Sequence, residues 1–278
     1  MHKKGKRKFM QQQDTEIQKA KETILPRFID KYGRPKKTPY YITQLQTLFE
    51  TNYFPWIVYQ AADQLIKQGT LSKFETKTKY HDKVVFIYNA QLNNPQHNPK
   101  LKAHIKSTCK LIDKYSAPTI GRALGNHLEG LVKAELRVQG FKIIGTHTTE
   151  YNNKKWSKTS HNLDFIAEHA SKKLTVGVEV KNTLPIIERE ELDIKLEMCE
   201  HLGITPLFAV RWIKPYIEHI RSNGGFAWVF KTQIYPPGFE QLTRVLYKRL
   251  ELPVTVRTDL PEKTIDIFHR WIQSIISK

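Results

Sequence analysis

The sequence predicts an α/β core whose sheet is covered by helices on both faces, preceded by a smaller unit of helices and a hairpin. Three observations carry that prediction. From residue 118 onward, strand-like and helix-like patterns alternate. Within that half, Leu174, Val176, Val178 and Val180 alternate with Thr175, Gly177, Glu179 and Lys181, the period of a strand with one apolar face. Ahead of it, residues 89–99 are rich in Asn and Pro and poor in apolar side chains, which marks a linker.

In chain order, residues 1–37 read as a basic arm and a helix. Ile17, Ala20, Ile24 and Phe28 recur at helical intervals, and Pro26 should break or kink that helix. The arm, Lys-rich through Lys8, is expected to be disordered and to touch phosphates or solubilise the chain. Residues 38–90 give a short helix, a turn, a second helix started by Pro55 and stopped by Gly69, and two strands around a basic tip. Helix, turn, helix, hairpin resembles a winged helix-turn-helix. The second helix would present Tyr59, Gln60, Gln64 and Lys67 outward, and the tip would carry Lys77, Lys79 and Lys83, types that read base edges or hold phosphates. Residues 91–117 read as linker and basic connecting helix.

Residues 118–278 form the α/β domain. A helix over 120–139 turns Leu124, Leu128, Leu131, Val132 and Leu136 inward, with Glu129 at the flank of the stripe and Lys133 one turn on. A strand at 141–146 follows. The polar stretch 150–160, with Lys154 and Lys155, predicts a loop along a DNA backbone that exposes Trp156 for stacking. Strands at 161–167 and 174–182, a helix at 190–202, a strand at 206–210, a helix at 214–222 and a strand at 225–230 complete the core. Two further helices around residues 254–257 end the chain.

The chain of 278 residues is long enough for two domains, and its 40% hydrophobic content can fill a core. A formal charge of +18 points to polyanions. No apolar run is long enough to span a membrane. Cys109 and Cys199 stand far apart without zinc-ligand neighbours, which argues against a disulfide framework or structural zinc and suits a reducing, cytoplasmic setting. The basic start lacks an apolar segment behind it and does not read as a secretory signal.

Asp164, on the strand before the turn, and Glu179-Val180-Lys181, at the end of the strand after it, resemble the bipartite D…(D/E)-x-K signature of the PD-(D/E)xK nuclease superfamily. Leu163 stands where that family usually has Pro. Of two other triplets of the same form, Glu75-Thr76-Lys77 follows no acidic strand and sits in a hairpin-like segment, and Asp193-Ile194-Lys195 lies in a helical pattern. The resemblance covers residues 120–230 and implies a restriction-endonuclease-like mixed sheet flanked by helices. It implies a Mg²⁺-dependent DNA endonuclease, with Mn²⁺ as a substitute. Asp164, Glu179 and the Val180 carbonyl would be metal ligands, Lys181 would position the attacking water, and Glu129 would add a ligand from the helix. DNA is the expected partner, and the resemblance leaves a homodimer open. His127, His147 and His161 lie near these residues and take no role. The competing expectations are a non-catalytic DNA-binding protein on a degenerate nuclease fold and, with no matching signature, an RNA-binding protein.

Overall fold

The computed structural model describes the backbone of residues 2–277 and the side chains of residues 13–277 other than Pro215. The chain divides into two compact units, residues 1–117 with 248–252, and residues 118–247 with 253–278.

The first unit opens with α1 (His2–Ile24). The basic start, expected as an arm, falls within this helix from His2 on, and its side chains lie outside those described. The α-helix stops where Pro26 enters a 3₁₀ turn, Leu25–Arg27, because proline has no N–H to donate. There follow β1 (Tyr40–Tyr41), α2 (Ile42–Leu48), α3 (Pro55–Lys67), the hairpin of β2 (Leu71–Thr76) and β3 (Val84–Asn89), and α4 (Pro99–Tyr115). The three strands form an antiparallel sheet in the order β1-β3-β2. Ile17, Ala20 and Ile24 of α1 bury against Leu45 of α2, Ile57, Ala61 and Leu65 of α3, and Leu71 and Ile87 of the hairpin.

The second unit runs α5 (Pro118–Val138), β4 (Phe141–Thr148), a small hairpin of β5 (Glu150–Tyr151) and β6 (Lys154–Lys155), β7 (Leu163–His169), β8 (Thr175–Lys181), α6 (Arg189–Leu202) and β9 (Thr205–Val210). It continues through α7 (Ile217–Ser222), β10 (Phe226–Val229), β11 (Gln233–Tyr235), α8 (Glu240–Leu250), β12 (Val254–Val256) and α9 (Glu262–Ile276). The last turn of α8 counts with the first unit.

The central sheet has the order β10-β9-β8-β7-β4. β4, β7 and β8 are antiparallel, β8, β9 and β10 parallel, so the sheet is mixed. One face, with Phe165, Val176, Val178, Leu207 and Trp228, packs on Leu128, Val132 and Leu136 of α5 and Phe268 and Ile272 of α9. On the other, Ile166 meets Met198, Cys199 and Leu202 of α6, while Phe208 and Val210 meet Leu192, Leu196 and Ile220. Burying each such side chain contributes about 1.5–3 kcal/mol, which is why the apolar stripe of α5 fixes that helix on the sheet. Among the described residues, no helix is long and apolar enough to cross a membrane.

Trp156 corrects the sequence reading. It is 2% exposed, packed with Leu163, Met198 and Leu202, and its indole N–H donates to Thr159 Oγ1 at 3.0 Å. A large aromatic beside an apolar helix face gains more from burial than from display among lysines.

Candidate functional site

β7 and β8 pair from Glu168–Thr175 to Phe165–Val178, and one residue further the same register sets Asp164 opposite Glu179. The ladder stops there for a local reason. The next hydrogen-bonded pair would join Val180 to Leu163, but the Val180 N–H donates instead to Asp164 Oδ2 at 2.6 Å. In an extended strand the N–H and C=O of one residue point the same way, so the Val180 carbonyl faces the same gap. On the other side of β8, Lys181 C=O accepts from Arg211 N–H at 3.1 Å, which holds β8 to β9 to its last residue.

Glu179 lies two residues before Lys181 on the α6 face of β8, and it is 4% exposed. Lys195 Nζ donates to Glu179 Oε2 at 2.5 Å and also to the carbonyl of Asn162. Lys181 Nζ stands 3.5 Å from Glu179 Oε1 and 2.7 Å from Glu191 Oε1. Gly177 makes the close helix approach practicable: a Cβ there would meet Cys199 Sγ, Ile204 Cδ1 and Leu163 Cδ1, each at 2.8 Å.

Electrostatics follow from this burial. Glu179 is pushed up to about 7, first by desolvation and then by the charge of Asp164, with Lys195 and Lys181 opposing. Asp164 is also raised, again by desolvation, with the Val180 N–H and Lys195 opposing and Glu129 adding repulsion. Burial works against the charge of Lys181, but Glu191 and Glu179 outweigh it and raise its pKa.

Glu129, on α5, pairs with Lys133 at 2.5 Å, one turn along the same helix. Lys133 also sits over the Phe165 ring at 4.9 Å. Among the described residues, no group of three or more His, Cys, Asp and Glu side chains could hold a metal ion. What the gap offers is two carboxylates from adjacent strands, the strand carbonyl of Val180, and an Asp164 Oδ1 that makes no hydrogen bond among the described residues. Hard oxygen donors, both raised first by desolvation and Glu179 further by the charge of Asp164, fit a small divalent cation better than a soft metal.

Four residues around the site carry no signature in the sequence. Lys195 belongs to the triplet Asp193-Ile194-Lys195 that the helical pattern sets aside; its position one helix after the strand is the signal that could have found it. Glu191 sits one turn earlier on α6 and takes Lys181. Asn182, buried, donates to the carbonyls of Leu124 at 2.9 Å and Ile234 at 2.6 Å and accepts from Ile234 N–H at 2.9 Å. It ties the end of β8 to α5 and β11. Arg211, also buried, donates to the carbonyls of Thr183 and Leu184 and so fixes the loop behind Lys181.

The remaining predicted residues are dispersed. Tyr59, Gln60 and Lys67 are exposed on α3 and Gln64 is half-buried, with Lys67 bound to Asp63 at 2.7 Å. At the hairpin tip Lys77 and Lys79 are exposed, while Lys83 binds Glu75 at 3.1 Å. On β6, Lys154 and Lys155 are exposed, and Lys155 binds Glu150 at 2.6 Å. Comparison with family models, curated proteins and solved structures finds no match to this chain.

Proposed function

We propose that the protein is a divalent-metal-dependent DNA endonuclease of the PD-(D/E)xK kind. The observation that carries this reading is the splayed end of β7 and β8, where Asp164 and Glu179 stand opposite each other beside the Val180 carbonyl, with Lys181 on the same strand face as Glu179. Asp164, Glu179 and the Val180 carbonyl would hold Mg²⁺, or Mn²⁺ in its place, and the ion would supply charge relief on the phosphate and a more acidic water. Lys181 brings an ammonium to the same gap, where it can steady a phosphate oxygen and orient the attacking water. Lys195 holds Glu179 Oε2, and Asn182 and Arg211 fix the backbone on either side of the turn after Lys181. Glu129 would join through water once released from Lys133. The products would be a 5′-phosphate and a 3′-hydroxyl.

The amino-terminal unit is read as a winged helix that docks the DNA. In support, α2 and α3 precede the β2–β3 hairpin, and the sheet order is β1-β3-β2. A second reading, a DNA-binding protein without cleavage, is favoured by one observation: Glu179 already has two ammonium partners. Incubation of the purified protein with linear, supercoiled and branched DNA, with and without Mg²⁺ or Mn²⁺, separates the two. Metal-dependent cleavage supports the endonuclease; binding without cleavage of any substrate supports the second reading.

A further inference from the structure

Half of the lysines assigned to DNA by sequence are occupied. Lys67 is held by Asp63, Lys83 by Glu75 and Lys155 by Glu150. Residues 38–90 carry five lysines and no arginine against four carboxylates, so the segment with the winged-helix pattern is nearly neutral. The charge excess lies beside it. α4 carries Lys100, Lys102, Lys106, Lys110 and Lys114 against one acid, Asp113. All five lysines are exposed, and none forms an ion pair among the described residues.

Lys102, Lys106, Lys110 and Lys114 follow one another at intervals of four, so each lies about 6 Å further along the helix than the last and about 40° around it. The row is roughly 18 Å long, comparable to the rise of about five nucleotides of one DNA strand. The opposite side of α4, with Leu101, Ile105, Thr108, Leu111 and Ile112, is buried, so the row is held on a fixed element and no apolar face is left for a lipid surface. Asp113, the one carboxylate, is turned to another use: it accepts the backbone N–H of Tyr80 at 3.3 Å. That bond joins α4 to the hairpin tip, where Lys77 and Lys79 are exposed and free of ion pairs among the described residues. Arg249, exposed, donates to Ser107 Oγ at 2.7 Å and adds a further positive charge at the edge of the row.

We infer that the lysine row of α4 and the tip of the β2–β3 hairpin form one track for the phosphodiester backbone of duplex DNA, and that this track, rather than α3, supplies most of the electrostatic binding. The inference rests on the DNA reading above but not on cleavage. Unpaired lysines displace counterions when they meet phosphates, whereas a lysine already bound to a carboxylate contributes less to that exchange.

The test is equilibrium binding of the full chain to a short labelled duplex over a salt series in EDTA, which removes cleavage from the readout. In the variant with Lys102, Lys106, Lys110 and Lys114 all changed to Gln, the slope of log affinity against log salt should shrink by about 3–4, close to one per phosphate contact. Lys77→Gln with Lys79→Gln should remove a further ~2, and Lys67→Gln with Lys83→Gln less than ~1. Glutamine keeps good helix propensity on an exposed face, so thermal melting should be unchanged and serves as the check on folding. An α4 variant with wild-type slope, beside a wild type that binds DNA, overturns the track and leaves the DNA reading intact. Wild type that binds no DNA, or binds duplex RNA more tightly at equal salt, overturns both. A slope that falls as expected in a protein that never cleaves keeps the track and removes the endonuclease.

Discussion

Glu75 and Glu179 occupy the same local pattern with opposite results. Each is the acid of a Glu-x-Lys triplet on a strand, and each is held between two lysines: Lys73 and Lys83 at 3.0 and 3.1 Å for Glu75, Lys195 and Lys181 at 2.5 and 3.5 Å for Glu179. Yet Glu75 is lowered by its two lysines, while Glu179 is pushed up to about 7 by desolvation and by Asp164. Lysine partners do not decide the sign; water does. For Glu179 the folded state retains a proton that the unfolded chain has released, so ionising it costs stability as pH rises from the ordinary glutamate range to about 7. For Glu75 the favourable contribution is present at neutral pH and is lost as pH falls through its lowered pKa. A strained carboxylate opposite another carboxylate is what a cation-dependent site requires, and a relaxed one is what a surface strand tolerates.

The largest separation should appear in catalysis. Asp164→Asn and Lys181→Ala should each lower Mg²⁺-dependent DNA cleavage by several orders of magnitude while duplex binding stays near wild type, since each ~1.4 kcal/mol lost from the transition state is tenfold in rate. Glu75→Ala should leave cleavage unchanged. Cleavage that survives in both site variants puts the chemistry elsewhere in the chain.

The next effect is on stability. Lys195→Met removes the ammonium closest to a carboxylate that is 4% exposed and leaves the Asn162 carbonyl without its donor. Breaking a buried pair from one side costs about 3 kcal/mol or more, and urea unfolding should register it. Lys83→Met, which frees one oxygen of exposed Glu75, should change the unfolding free energy far less. Equal losses in the two variants would erase the distinction drawn from burial.

A third contrast lies two residues upstream on the same strand face, where β8 has Gly177 and β2 has Lys73. Gly177→Ala would press a methyl against Cys199, Ile204 and Leu163. Overpacking of this kind costs about 1–3 kcal/mol, and it should also lift α6 and with it Lys195 away from Glu179. A melting temperature equal to wild type would mean that these three side chains yield freely.

Much of this architecture was legible in the sequence because it rests on periodicity. The alternation of residues 174–182, the stripe Leu124–Leu128–Val132–Leu136 and the mixed pattern of strands and helices after residue 118 all reflect burial on one face, and burial is what repeats. The pairing of Asp164 with Glu179 was legible for the same reason, since two strands joined by a short turn fix their register. What sequence could not give depends on which surface a neighbouring element covers. Trp156 looks exposed among lysines until α6 lies across it, and Lys195 looks like an outward helical lysine until the same helix carries it to Glu179. Long side chains with charged tips sit equally well in either setting, so their own residue types say little.

The smallest effect sharpens the comparison from its exposed side. Glu75→Gln removes the carboxylate that both Lys73 and Lys83 bind, on an antiparallel hairpin whose main-chain pairing does not involve that side chain. Ion pairs in water gain little, because the Coulomb term is screened and two long lysine chains must be held in one geometry. The change in unfolding free energy should therefore be small at low salt and shrink towards zero at ~1 M salt, where the screening length falls to about 3 Å. The substitution also frees Lys73 and Lys83 for phosphate, so the same variant should bind duplex DNA slightly more tightly, with a salt slope steeper by ~1–2. The two readouts move in opposite directions only if the pair contributes weakly to the fold and competes with DNA for the lysines. A large stability loss that persists at high salt would mean that Glu75 is held as Glu179 is, and burial would no longer distinguish the two triplets.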